Sequence, residues 1–190
     1  IVAYRAKDNA RDVLIPSTDL LDKATGKPLS IRSISWSADN EKLLIYNNTR
    51  KVWRYDTRGD YWVLDRKSGV LRQLGKGFPE STLMFAKFSP DGNRVAYVQQ
   101  NNIYVEDIAS GKITALTTDG NDRFVNGTFD WVYEEEFACR DGFRWSPNGQ
   151  FIAYWQSDTE GTGVFDIINN VDSLYAKVIH FPYPKAGTTN

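Results

Sequence analysis

One pattern recurs three times along the chain and limits its fold more than any other feature. It reads WSADNEKLLIY at 36–46, FSPDGNRVAYV at 88–98 and WSPNGQFIAYW at 145–155. An aromatic residue and a serine precede Pro or Ala, then Asp or Asn, a turn residue and a β-rich apolar run. The anchors Trp36, Phe88 and Trp145 lie 52 and 57 residues apart. Physically the unit is a hairpin: a strand ends in the aromatic and serine, a Pro-Asp-Gly type turn reverses the chain, and a second strand returns. Two further strands follow inside each period. After the first anchor come YWVLD (61–65), the turn RKSG (66–69) and VLRQL (70–74). After the second come NIYVEDI (102–108), the turn ASG (109–111) and KITALT (112–117).

Four short strands per period describe a β-propeller blade. No segment sustains a 3.6-residue apolar period, which argues against a parallel α/β sheet. The expected fold is therefore all-β: a β-propeller fragment of about three to four four-stranded antiparallel blades, with a short helical insertion. The three aromatic anchors are assigned to the hairpin core. IVAYRAKDN (1–9) resembles the second hairpin strand RVAYVQQ (94–100) without the turn before it. Rings close with typically four to eight blades, so the chain reads as part of a propeller. The expected divisions are a partial blade over 1–30, blades over about 31–80, 81–122 and 138–190, and an insertion over about 121–137.

Composition narrows the function. Lys and Arg total 23 against 24 Asp and Glu, a net charge of −1, which argues against a nucleic-acid arm or a polybasic anchor. The longest apolar runs, such as FIAYW (151–155), fall far short of the roughly 20 residues of a membrane span. IVAYRAKDNA (1–10) lacks the charged start and apolar stretch of a signal peptide. A single His, His180, and a single Cys, Cys139, cannot assemble a His/Cys zinc site or an internal disulfide. No G-x-S-x-G elbow occurs, and GKGFPE (75–80) lacks the third glycine and following helix of a phosphate loop. No metal or cofactor is expected, and no catalytic residue is assigned within this chain. His180, in a Pro-flanked extended stretch without a visible partner, is read as structural. Asn47-Asn48-Thr49 and Asn126-Gly127-Thr128 fit the glycosylation sequon.

The repeat is interrupted once, by NDRFVNGTFDWVYEEEFACRDGFR (121–144). Insertions in repeat proteins usually sit on a functional rim. Within it, DWVYEEEF (130–137) sets Glu134, Glu135 and Glu136 among Trp131, Tyr133 and Phe137. VYEEEFA suits a helical turn with Asp130 as N-cap and Gly142 beyond its end. One reading makes the three acids a solvated face. The other makes them a receptor for an ammonium group, because carboxylates held rigidly near apolar surface repel unless a cation neutralises them. Adjacent acids on a helical turn point in different directions, so the three are not equivalent. Three contiguous Glu cannot converge on one metal ion, and no His supports them.

DWVYEEEF, followed by RWSPNGQFIAYWQSD (144–158) and HFPYPKAG (180–187), resembles the propeller domain of the dipeptidyl peptidase IV family, in the prolyl oligopeptidase clan of serine peptidases. KVWRYDTRGDYWVLD (51–65) is similar to the family's Arg-bearing loop, and NNIYVEDIASGKITALT (101–117) to its next blade. The resemblance implies that Glu135 and Glu136 bind the free N-terminal ammonium of a peptide substrate. It implies that Arg54 reaches the carbonyl of the substrate's second residue. It also implies a serine exopeptidase releasing N-terminal dipeptides, whose Ser, Asp and His lie in a C-terminal α/β-hydrolase domain; this chain alone is then inactive. A homodimer at full length, no nucleic-acid partner and an extracytoplasmic location, periplasmic or secreted, complete the implication. ACRDGFR (138–144) departs from the animal enzymes and is one residue shorter. On residues alone, Arg54 reads rather as a surface ion pair with Asp56 or Asp60. The alternative function is a stand-alone TolB-like propeller serving as a scaffold for protein interactions.

Overall fold

The computed structural model describes residues 1–189. Among the described residues, regular structure is β-strand apart from one short α-helix and a single 3-10 turn over Ser17–Leu20. Contacts divide the chain into two compact units, residues 1–97 with 105–114, and residues 98–104 with those from 115 onward.

The chain opens with a hairpin, β1 (Val2–Tyr4) on β2 (Arg11–Val13). The first full period builds a four-stranded meander from β3 (Ser33–Trp36), β4 (Lys42–Val52), β5 (Tyr55–Asp65) and β6 (Leu71–Gln73), hydrogen-bonded in sequence order. The second repeats it with β7 (Met84–Phe88), β8 (Arg94–Gln99), β9 (Asn102–Asp107) and β10 (Ile113–Ala115). These two sheets have the sequential antiparallel order of propeller blades. Beyond residue 120 the strands pair in twos. β11 (Phe124–Asn126) pairs with β14 (Gln156–Asp158), β12 (Phe143–Trp145) with β13 (Ile152–Tyr154), and β15 (Val164–Asn169) with β16 (Lys177–Pro182).

The recurring hairpin has one hydrogen-bond plan. The serine hydroxyl donates to the acid or amide two residues on, at 2.6 Å for Ser37–Asp39, 2.5 Å for Ser89–Asp91 and 2.7 Å for Ser146–Asn148. The same oxygen accepts the N–H five residues on, from Lys42, Arg94 and Phe151, at 2.9, 3.0 and 2.9 Å. Between them one residue must be left-handed: Asn40, Gly92 and Gly149, at φ 60, 68 and 68°. Asn and Gly tolerate that conformation best, which explains the DN, DG and NG of the three turns. The donated serine proton holds the Asp39 and Asp91 carboxyls below the usual carboxylate range. The aromatic anchors are half-buried rather than core. Trp36 flanks the cluster of Ile15, Leu20, Leu43, Ile45 and Leu64 and carries the Arg66 guanidinium over its ring.

In the first unit a fully buried acid takes the place of an apolar residue. Glu106 accepts the Gly75 N–H at 2.8 Å and the Tyr97 hydroxyl at 3.0 Å, and the Arg72 guanidinium at 3.3 Å balances its charge. A buried charge survives only when so surrounded.

The hairpin that bears Arg54 is longer than the sequence indicates. β4 and β5 run 11 residues each, whereas the sequence marks only LLIY and YWVLD as strands. Both extra halves are polar, so their pairing leaves no apolar alternation.

Candidate functional site

The helix α1 (Trp131–Phe137) carries the three acids, in the second unit. It begins where expected, with the Asp130 carboxylate accepting the Tyr133 N–H at 3.0 Å. It ends at Ala138, the last residue of VYEEEFA, with Gly142 beyond it. Ala138 adopts φ 55°, and its N–H and that of Cys139, the latter at 3.0 Å, both return to the Tyr133 carbonyl, which stops the helix. An alanine there carries a steric cost a glycine would not.

The helix is docked by its aromatic residues. Trp131 packs on Phe181 and Tyr183 at 4.7 and 5.3 Å between ring centres, and Phe165 closes the cluster against both. On the opposite side Phe129 stacks on Tyr133 at 5.7 Å and meets Trp155 at 6.1 Å. The HFPYP stretch of the sequence thus serves as the bed of the acidic helix.

Held this way, the three acids differ. Glu134 is buried, 5% exposed, and its Oε1 lies 3.7 Å from Nε of Arg140. Glu135 is half-buried and Glu136 is exposed. Glu134 is committed inward to a cation of its own segment, Glu135 keeps one carboxylate oxygen buried, and Glu136 faces solvent. Sequence reading missed Arg140; an opposite charge six residues on, just past the helix end, is the signal it carried.

Hydrogen bonds fix the strands around the insertion. Asn126 is fully buried and its amide donates to Asp119 at 2.9 Å and to the Asn101 carbonyl at 3.1 Å. Gln156 joins them, 2.7 Å from Asn126 and 3.1 Å from Asp119. Outside this network Arg123 forks onto Asp158 at 2.6 and 2.9 Å and also contacts Glu160. The guanidinium holds the Asp158 carboxyl down at about 2.

Arg54 lies in the first unit, exposed at the tip of the β4–β5 hairpin, beside Trp53 in a left-handed conformation at φ 54°. The two acids considered as its surface partners have other contacts. Asp56 pairs with Arg32 at 3.4 Å, while Asp60 accepts from Asn48 at 2.6 Å and from the Ser81 N–H at 2.7 Å. Beneath the tip the Tyr46 hydroxyl lies 2.8 and 2.9 Å from the Asp56 and Arg58 carbonyls, donating its proton between them. Burial, with the Asp56 carboxylate nearby, pushes the phenol up to about 12.

Three other residues differ from expectation. His180 has a partner: its Nδ1 lies 2.6 Å from Asp166, directly opposite in the β15–β16 register and exposed. Both sequon asparagines are interior, Asn47 at 7% and Asn126 at 0% exposure, where no glycan fits. Among the described residues, no group of three or more His, Cys, Asp or Glu side chains is arranged to hold a metal ion.

Residues 37–190 match the family model described as the dipeptidyl peptidase IV (DPP IV) N-terminal region. The chain is 38% identical over 170 residues to dipeptidyl aminopeptidase B of Saccharomyces cerevisiae, covering 87% of this chain and 20% of that protein. It is 32% identical over 176 residues to human prolyl endopeptidase FAP, covering 92% and 23%. Among solved structures, Porphyromonas gingivalis dipeptidyl peptidase 4 superimposes with a TM-score of 0.86 at 27% identity, over all of this chain and 26% of that one. The chain thus spans a fifth to a quarter of the length of these relatives.

Proposed function

The chain belongs to the dipeptidyl peptidase IV family, and from that we propose that it is the part of a serine exopeptidase that recognises the substrate's N-terminus. In this reading Glu135 and Glu136 hold the α-ammonium of a peptide, and Arg54 donates to the carbonyl of its second residue. Ser, Asp and His in a C-terminal α/β-hydrolase domain of the same protein cut after that residue. One observation carries the reading: Glu134 is turned inward onto Arg140, Glu135 on the aromatic-docked helix keeps a buried carboxylate oxygen, and Glu136 is exposed. A merely solvated acidic face gives no reason for that division. Family membership also favours a peptidase over a stand-alone interaction scaffold.

The chemistry follows from registration. The fixed charge at a peptide's start is its α-ammonium, with a pKa of about 7.7–8. A carboxylate pair at a set distance from a nucleophile measures two residues from that end, so binding at the ammonium orients the scissile bond. The planar guanidinium of Arg54 suits a carbonyl oxygen, since it presents several donors in one plane. A homodimer at full length belongs to the same reading, supported by exposed Val171, Leu174 and Tyr175 in the connection between β15 and β16.

Dipeptidyl amides with free and with N-acetylated termini test it. The full-length protein is expected to release dipeptide from the free substrate only, and the 190-residue chain to turn over neither, because no catalytic serine is assigned to the exposed His180–Asp166 pair and a triad needs all three members. Equal turnover of both substrates by the full-length protein rejects the reading. Arg54→Ala is expected to lower kcat/KM by about one to two decades through loss of a charged hydrogen bond, roughly 1.5–3 kcal/mol. Unchanged kinetics would return Arg54 to a surface role.

A further inference from the structure

We propose that Asp60, with Asn48 and Ser81, is a positioning device for Arg54; this rests on Arg54 contacting substrate.

The β4–β5 ladder is continuous from Lys42↔Asp65 to Asn47↔Asp60, and then it breaks twice. Pairing resumes at Arg50↔Arg58 and shifts again at Lys51↔Asp56. First β4 carries the extra residues, then β5. Asn48, inside the first break, is left-handed at φ 44°. A β-bulge bends its strand and leaves residues without ladder partners. The two shifts offset each other and the arm that ends in Trp53 and Arg54 stays paired, but its direction is set at the break rather than by an unbroken ladder.

A closed polar ring spans the break. Asp60, 8% exposed, accepts from the Asn48 amide through Oδ2 at 2.6 Å and from the Ser81 N–H through Oδ1 at 2.7 Å. The Ser81 hydroxyl donates back to the Asn48 carbonyl at 2.6 Å. Gly59 adds two backbone bonds to Leu83, at 3.0 and 3.1 Å. One carboxylate thus joins both strands of the hairpin to the segment leading into β7. Gly59 has no room for a side chain, since a Cβ there would stand 2.4 Å from the Tyr46 ring and 2.7 Å from the Asn47 carbonyl. That contact presses Tyr46 beneath the arm, where its hydroxyl reaches the Asp56 and Arg58 carbonyls.

Leverage makes the ring matter. Arg54 is six residues from Asp60, a reach of about 20 Å at roughly 3.3 Å per residue. A swing of about 10° at the base displaces the tip by about 3 Å over that reach. A misplacement of about 1 Å can cost on the order of 100-fold in rate.

The test is kinetic coupling in the full-length enzyme, with hydrogen exchange of the hairpin alongside. Asp60→Asn keeps the shape but turns one acceptor into a donor facing the Asn48 amide; Ser81→Ala removes a single bond of the ring and guards against misfolding of the first variant. Each is expected to lower kcat/KM for dipeptide release by about 10-fold, and by less than about 2-fold when Arg54 is already Ala. Exchange should quicken at amides of residues 50–55 and stay unchanged at 43–46. Equal losses in both backgrounds would show a general structural role and overturn the proposal, as would unaltered exchange in the distal arm. If Arg54→Ala alone is silent, the substrate role of Arg54 fails and the positioning role with it. Faster exchange in the arm of Asp60→Asn would mark that outcome as distinct from a failure of the ring.

Discussion

Glu135→Gln or Glu136→Gln in the full-length enzyme is expected to cost much of kcat/KM on free dipeptidyl substrates while the helix stays folded. Removing one member of a charge-assisted pair typically costs about 2–5 kcal/mol, or about 30-fold to several thousand-fold. Acetylating the substrate removes the other member, so mutation and acetylation should not add. The free-substrate advantage should also fade as pH rises above about 8, where the α-ammonium loses its proton. Glu134→Gln is the informative contrast. Its carboxylate is buried against Arg140, so the substitution removes that ion pair and loosens the helix that carries Glu135 and Glu136. Any loss of turnover should come with faster amide exchange across α1, which the Glu135→Gln and Glu136→Gln variants should not show. Full activity of both outer variants on free substrates would leave the acids as a solvated face.

Glu106→Ala is expected to be the most damaging single change to the first unit. It would leave Arg72, the Tyr97 hydroxyl and the Gly75 N–H without their shared acceptor. Breaking a buried pair by removing one partner costs about 3–5 kcal/mol. The measurement is the opening free energy of β8 and β9 amides by hydrogen exchange in the full-length protein, which isolates this region. Glu106→Gln, which still offers one oxygen, should lose less. By contrast the exposed Lys67–Glu41 pair, at 2.5 Å, should contribute little, since solvent screens it. Protection in Glu106→Ala equal to wild type would mean that Arg72 and Tyr97 find other partners at no cost.

The turns were legible because their chemistry is local. Serine, the acid two residues on and the left-handed residue after it all lie within one turn, so three copies announce three hairpins. The N-cap of α1 was legible for the same reason. Its end after VYEEEFA was legible too, but the left-handed turn that makes the stop was not, because alanine is unfavourable in that conformation. The outer halves of β4 and β5 escaped notice because both faces are polar, which erases the two-residue period. That the three acids differ followed from helical geometry, but what sets them apart, Arg140 and the bed of Trp131, Phe181 and Tyr183, was not visible. His180 was left without a partner because Asp166 is 14 residues away, across a hairpin whose register no sequence pattern marks.

The burial of Asn47 and Asn126 bears on how this protein is made. Both sequons are open to a transferase while the chain is still extended, before any fold can shield them. A glycan on Asn126 would displace the amide that ties Asp119 to Asn101, and one on Asn47 would wedge apart the inner ladder. In a eukaryotic secretory host, sugar transfer and folding therefore compete for the same two amides, and the molecules modified first cannot mature. A bacterial host, or one lacking that transferase, removes the contest and yields a single product.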